Sequence, residues 1–129
     1  MAHNVETWLV TKGKADAGLL AAFSSKDRIF TIHDPALMKP GLLPRMTYTI
    51  GDAADLDMAD DVAFLENWII EIDVWTVTDN RISLMNAVDV FMRNCGFSKG
   101  TSIDLFESDT EIYHRSLRYV MRVTADDLV

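Results

Sequence analysis

Disulfide bonds within the chain are excluded, because Cys95 is its only cysteine. A lone cysteine fits a reducing compartment. A membrane helix needs about 20 consecutive apolar residues, whereas the most apolar segment, 68–77, is interrupted by Glu71 and Asp73. The segment 1–12 lacks the basic start and the apolar stretch of a signal peptide. We therefore expect a soluble protein, made in a cytoplasm, with no membrane partner.

Basic residues are missing from the middle of the chain. Between Arg45 and Arg81 there is no lysine or arginine, but there are nine acidic residues. The formal net charge is -8, and outside this block the acids and bases nearly balance. An acidic block repels nucleic acid phosphates, so sequence-specific DNA binding is not expected. A surface past which DNA moves without binding would carry the same charge.

Motifs for nucleotide binding and catalysis are also lacking. The sequence has no GxxxxGK[ST], GxGxxG or GxSxG pattern and no histidine pair with metal-ligand spacing. Glu111 and His114 come nearest to a catalytic pair, but at that spacing on a strand they would point to opposite faces. Cys95 continues an apolar stripe at the C-terminal end of a helix, where a thiolate is disfavoured. We predict no catalytic, cofactor-binding or metal-binding residue, and no enzyme.

The acidic run from Asp52 to Asp61 is the one candidate for a cation site, because hard cations bind several carboxylates on a flexible loop. Counted from Asp52, the sixth and twelfth positions are Asp57 and Ala63, where an EF-hand has glycine and glutamate. We interpret the run as a solvated hairpin tip. Weak binding of a divalent cation is the alternative.

The spacing of apolar residues predicts one α+β domain over 1–129. Helical spacing occurs near 5–13, at 15–23 and most clearly at 80–94, where Gly96 is expected to follow the helix end. Strands are predicted at 28–33, 46–50, 68–77, 101–107 and 112–124, with a proline loop at 34–44. The order α(α)-β-β-β-α-β-β favours an antiparallel or mixed sheet of about five strands with helices packed on one face.

Two of the predicted strands have unlike faces. In 68–77, Ile70, Ile72 and Val74 alternate with Ile69, Glu71, Asp73 and Trp75, and one of these two sides is expected to pack against helices. In the last strand, Leu117, Tyr119, Met121 and Val123 face away from His114, Arg118 and Arg122.

The last strand also carries the main basic concentration, Arg115, Arg118 and Arg122. These arginines are either ordinary surface charge, paired within the sheet with Glu71 and Asp73, or a patch that meets the acidic segment of a neighbouring copy. Unlike surfaces of opposite charge suit head-to-tail rings.

A strand Trp68-Ile69-Ile70-Glu71-Ile72-Asp73-Val74-Trp75-Thr76 is followed by a helix that Cys95-Gly96-Phe97 closes. A strand pair then ends in Ile112-Tyr113-His114-Arg115-Ser116-Leu117-Arg118-Tyr119. With an N-terminal helix and Arg28-Ile29-Phe30 before the proline loop, this layout resembles the tail terminator (tail-completion) proteins of long-tailed phages and prophages.

The resemblance implies a structural protein that forms a hexameric ring on a finished tail tube, stops tube polymerisation and provides the surface that docks the head. The implied partners are further copies of the chain, the tail tube protein and a head-completion or connector protein. DNA would pass through the ring without specific binding. The implied location is the head-proximal end of the tail in the virion, and the host cytoplasm during assembly.

Nine residues are candidates for oligomer or lumen contacts under this resemblance: Asp55, Asp57, Asp60, Asp61, Glu71, Asp73, Arg115, Arg118 and Arg122. Two alternatives stay open. One is another head-tail connector, such as a head-completion protein. The other is a small cytosolic enzyme or ligand-binding domain, with Trp75, Tyr48 and Tyr119 lining a pocket between sheet and helices.

Overall fold

The structure of the chain, a computed structural model, describes residues 5–51, 66–77, 81–107 and 112–123. Its α-helices are α1 (Val5–Lys14), α2 (Ala17–Phe23) and α3 (Arg81–Asn94). Its strands are β1 (Arg45–Gly51), β2 (Glu66–Thr76), β3 (Ser98–Glu107) and β4 (Ile112–Val123). None of the helices in these ranges is long and apolar enough to span a membrane.

The four strands form one antiparallel sheet in the order β1-β2-β4-β3. Helices together with this sheet make the chain an α+β protein, as the apolar spacing predicts. The described residues contain four strands rather than about five, so the predicted order α(α)-β-β-β-α-β-β has one strand too many.

The predicted strand at 28–33 is wrong. Lys26–Arg28 is a 3-10 turn, and Thr31 makes only a single parallel bridge to Thr47 of β1. Between them, Phe30 has a φ of 51°, in the left-handed region. A residue in that region turns the chain and cannot continue an extended strand.

The main core lies between the helices and one face of the sheet, which we call the helix face. The sheet supplies Met46, Tyr48, Ile70, Ile72, Val74, Leu117 and Tyr119, and the helices supply Leu9, Leu19, Phe23, Leu84, Val88, Phe91 and Met92. The apolar side of 68–77 therefore packs against helices, because alternate residues of a strand point to the same face.

Local signals mark the start of α2 and the end of α3. Asp16 caps α2, since its Oδ2 accepts a hydrogen bond of 3.0 Å from the amide of Leu19. After α3, the amide of Gly96 donates to Arg93 and the amide of Phe97 donates to Met92, each at 3.0 Å. Gly96 has a φ of 96°, as a C-terminal cap of this type requires.

Candidate functional site

The sheet face opposite the helix face, which we call the second face, carries most of the polar strand residues. The strand registers arrange it in rows that run across β1, β2 and β4. From one end the rows are Arg45, Trp75 and His114; then Thr47, Asp73 and Ser116; then Thr49, Glu71 and Arg118; then Gly51, Ile69 and Val120. Within the described residues, the three α-helices pack on the helix face, and the proline loop, residues 34–44, packs against the first row of the second face.

Trp75 lies at the centre of the end of the second face that the proline loop covers. Its ring stacks on His114 with centroids 3.7 Å apart and on His33 with centroids 5.2 Å apart. Its Nε1 donates a buried hydrogen bond of 2.9 Å to Oγ1 of Thr47. Leu43 and Ile112 complete a second small apolar cluster with this ring. The aromatic ring therefore ties the proline loop to the sheet.

Cationic side chains hold the proline loop and the preceding turn through backbone carbonyls. Arg28 donates to the carbonyls of Leu43 and Gly41, at 3.2 and 3.1 Å. Arg45 donates to the carbonyl of Asp27 at 3.2 Å, and Lys14 donates to that of Ile29 at 2.7 Å. Burial lowers the pKa of both Arg45 and Lys14, because removal from water disfavours the charged form of each group.

Beside this cluster, Asp73 and His114 form a close pair. Nε2 of His114 lies 3.0 Å from Oδ1 of Asp73, and the side chains are only 14% and 17% exposed. An imidazole oriented by a carboxylate can hold and transfer a proton. The pair therefore has the arrangement of a general base held in place by a carboxylate. The two residues lie diagonally across from each other on the neighbouring strands β2 and β4 of the second face.

The middle of the second face carries opposite charges side by side. Glu71 of β2 lies directly opposite Arg118 of β4, with Thr49 of β1 on its other side. Arg118 and Thr49 are exposed, and Glu71 is half-buried. Ile69 and Val120 in the next row are also half-buried. This part of the face is therefore mixed, with a charged row beside a half-buried apolar row.

The structure brings only part of the predicted contact residues together. Glu71, Asp73 and Arg118 share the second face, whereas Arg115 occupies the alternate position of β4, opposite Val74. Arg122 lies opposite Asn67 in the register, but its side chain is outside the described residues. Asp55, Asp57, Asp60 and Asp61, like the partner Glu111 considered for His114, also lie outside them.

The pocket residues of the enzyme alternative do not converge. Tyr48 and Tyr119 belong to the core of the helix face, whereas Trp75 belongs to the cluster on the second face. Tyr48 donates to Glu6 and Tyr119 donates to Asp89, at 2.7 and 3.1 Å. The three aromatic residues therefore do not line one cavity between sheet and helices.

The two remaining candidates from the sequence are a reactive cysteine and a metal site. Cys95 is half-buried and packs against the main core, and burial raises the pKa of its thiol. Within the described ranges, no three His, Cys, Asp or Glu residues are grouped so that they could hold a metal ion. The acidic run at 52–61 is outside these ranges.

Sequence reasoning missed the pairing of His114 with Asp73. Alternation puts Asp73 and Trp75 on the same side of their strand. It puts His114 on the side of the last strand that faces away from Leu117. The contact also depends on the register in which β2 pairs with β4, which the sequence does not give.

A scan against protein-family models finds no match to this chain, and a search of curated proteins finds no significant relative.

Proposed function

We propose that this chain is a structural subunit that caps the tail tube of a long-tailed phage or prophage, stops tube polymerisation and offers the surface on which the head docks. In this role it acts as a ring of copies, about six, and has no catalytic activity. Its partners are the tube protein and a head-completion or connector protein. The ring sits in the virion at the head-proximal end of the tail, and DNA passes through it without specific binding.

The observation that carries this proposal is the second face of the sheet. Three strands present Thr49, Glu71, Arg118, Ile69 and Val120 on the side away from the helices. In the proposed ring, Ile69 and Val120 supply apolar contact area, and Glu71 and Arg118 supply charges that can pair across a subunit boundary. Among the described strands, β1 and β3 are outermost, and the outer edge of β1 already bonds to Thr31 through Met46 and Tyr48. A strand edge can also pair with a further chain.

The test is assembly of tail tubes in the presence of the purified protein. Tube protein from the same genome is polymerised with and without the chain, and tube lengths and ends are measured by negative-stain microscopy. We expect shorter tubes with a ring at one end. Tubes of unchanged length with bare ends would overturn the proposal. Rings bound to heads but never to tubes would favour the head-completion alternative.

A second candidate function rests on the Asp73–His114 pair, with its distance of 3.0 Å. A carboxylate-oriented imidazole is part of the machinery of many hydrolases. Hydrolysis of an activated nitrophenyl ester is compared between the wild-type chain and His114→Gln. A rate that falls to background in the variant would favour the enzyme alternative, and equal rates would exclude this pair as the catalyst of ester hydrolysis.

A further inference from the structure

Four cationic side chains gather where the end of α1, the 3-10 turn at Lys26–Arg28 and the start of β1 meet. We call them the basic cluster: Lys14, Lys26, Arg28 and Arg45. Lys14 donates to the carbonyls of Lys26 and Ile29, at 2.9 and 2.7 Å. Arg45 donates to the carbonyl of Asp27, and Arg28 to two carbonyls of the proline loop. Each of these bonds ends on a neutral carbonyl, so it holds a cation in place without cancelling its charge.

The basic cluster carries more positive charge than its surroundings cancel. Within the described ranges, none of its four members is ion-paired with a carboxylate. The acids whose charges act on Arg45 are Asp27 and Asp34, so four positive charges less two negative ones leave an excess of two. Burial lowers the pKa of Arg45, and the charge of Arg28 lowers it further, as expected for cations that repel one another.

Part of the basic cluster is open to a partner. Lys26 is exposed, Lys14 and Arg28 are half-buried, and Arg45 is only 6% exposed. An anionic partner therefore meets Lys26 and Arg28 at the surface. The buried charge of Arg45 adds to the attraction from the interior, where salt screens it less.

The chain itself contains the complementary charge. Nine acidic residues and no lysine or arginine lie between Arg45 and Arg81. Six of the nine belong to the acidic segment 52–66: Asp52, Asp55, Asp57, Asp60, Asp61 and Glu66. This segment follows the seven-residue strand β1, which begins at Arg45 and ends at Gly51, so its point of attachment is about 20 Å from the basic cluster. Opposite charges at two separate places on one molecule suit a head-to-tail contact between copies.

We propose that the basic cluster binds the acidic segment 52–66 of a second copy of this chain. Each copy then has two unlike surfaces, as a ring of copies requires, and in this respect the inference rests on the proposed function. Lys26 and Arg28 belong to the turn before β1 and not to the second face, so the two surfaces do not compete for the same residues. The arginines of β4 form no comparable cluster, because Arg115 and Arg118 occupy positions of opposite facing on that strand.

Binding of a synthetic peptide tests the contact without tube protein or heads. The peptide has the sequence of residues 52–66 and a fluorescent label, and its anisotropy is followed as full-length chain is added at low salt. The chain carries Asp55→Asn, Asp57→Asn, Asp60→Asn and Asp61→Asn as a common background, so that its own acids do not compete. We expect saturable binding that weakens as salt is added, because salt screens exposed charges. A peptide with all six acids replaced by their amides should not bind.

Lys26→Glu in the same background reverses the exposed charge of the basic cluster and should weaken peptide binding about threefold or more. Lys12→Glu is the matched control with the same change of net charge. Lys12 is exposed on α1, where its Nζ lies 5.6 Å from the centroid of the Trp8 ring, and this variant should bind like the background chain. Circular dichroism verifies that both variants fold.

Absence of peptide binding by the background chain, or an equal loss in the two variants, would overturn the proposal. The tube assay is a separate test of the proposed function. A wild type that leaves tubes bare while the background chain binds the peptide would overturn the proposed function and not this contact. A wild type that caps tubes without peptide binding by the background chain would overturn this contact alone.

Discussion

Gly13 is the residue of α1 that packs directly against the ring of Phe30. A Cβ built on it would lie 2.3 Å from Cε2 of Phe30. The Phe30 ring is buried and makes edge contacts with Tyr48 and Phe91, with centroids 5.5 and 5.8 Å away. Because the ring is held on several sides and its backbone has a φ of 51°, it has little freedom to move aside.

We predict that Gly13→Ala destabilises the fold. Alanine favours a helix by about 1 kcal/mol over glycine, but overpacking against a fixed ring costs about 1–3 kcal/mol, so the clash wins. Urea denaturation measures the free energy of unfolding. Gly41→Ala is the control, since a Cβ there would meet no atom within 4 Å, and we expect its effect to stay within about 0.5 kcal/mol. Equal stabilities of the two variants would contradict this packing.

Tyr48 gives the fold a dependence on alkaline pH. Burial, followed by its hydrogen bond to Glu6, raises the pKa of Tyr48 to about 12. Because the folded-state pKa lies above the unfolded value, this residue contributes stability that is fully present below about pH 10. That contribution is lost as the pH rises from about 10 to about 12.

The difference in unfolding free energy between the wild type and Tyr48→Phe isolates this contribution of Tyr48. It should be constant at neutral pH and should shift in favour of Tyr48→Phe as the pH rises above about 10. Tyrosinate absorbance follows the ionisation directly. A difference that does not change between pH 8 and pH 12 would contradict the environment assigned to Tyr48.

At the scale of elements, α2 depends on its cap. The helix is short, and it delivers the fully buried Leu19 and Phe23 to the core. Short helices are marginal without tertiary packing and capping. The Asp16 side chain satisfies the amide of Leu19, which would otherwise have no partner in the first turn.

We expect Asp16→Ala to cost about 1 kcal/mol of unfolding free energy. Asp16→Asn should retain nearly all the stability, because the asparagine side chain also accepts a hydrogen bond from the helix amide. Thermal and urea denaturation of the three proteins measure the difference. If asparagine were as damaging as alanine, the charge of Asp16 rather than its capping bond would be the cause.

Most elements could be predicted because their signals are local. Alternation marked β1, β2 and β4, and the stripe through Leu84, Val88 and Phe91 marked α3. The strand at 28–33 failed because Arg28–His33 has strand-like composition, while packing of Phe30 against Tyr48 and Phe91 accompanies a left-handed backbone there. Tertiary contacts of this kind override local propensity.

At the scale of the whole molecule, the proposed ring of copies links stability to concentration. Association of folded chains stabilises them by mass action. Where the ring is the main species, Tm should rise by about 2–5 °C for each tenfold increase in protein concentration. Scanning calorimetry of the wild type and of Arg118→Glu, which reverses a charge on the second face, measures this slope. A variant with the same slope as the wild type would contradict a subunit contact through Arg118.

The sequence by itself determined the α+β class, the two unlike sides of β2 and the end of α3 at Gly96, because periodicity and cap residues act within a few positions of the chain. Only the tertiary structure decided which residues share a site. His114 contacts Asp73, and Arg118 faces Glu71, because β4 pairs with β2 rather than with β3 alone. Strand order and register depend on contacts between residues far apart in the chain, and alternation along one strand carries no record of them.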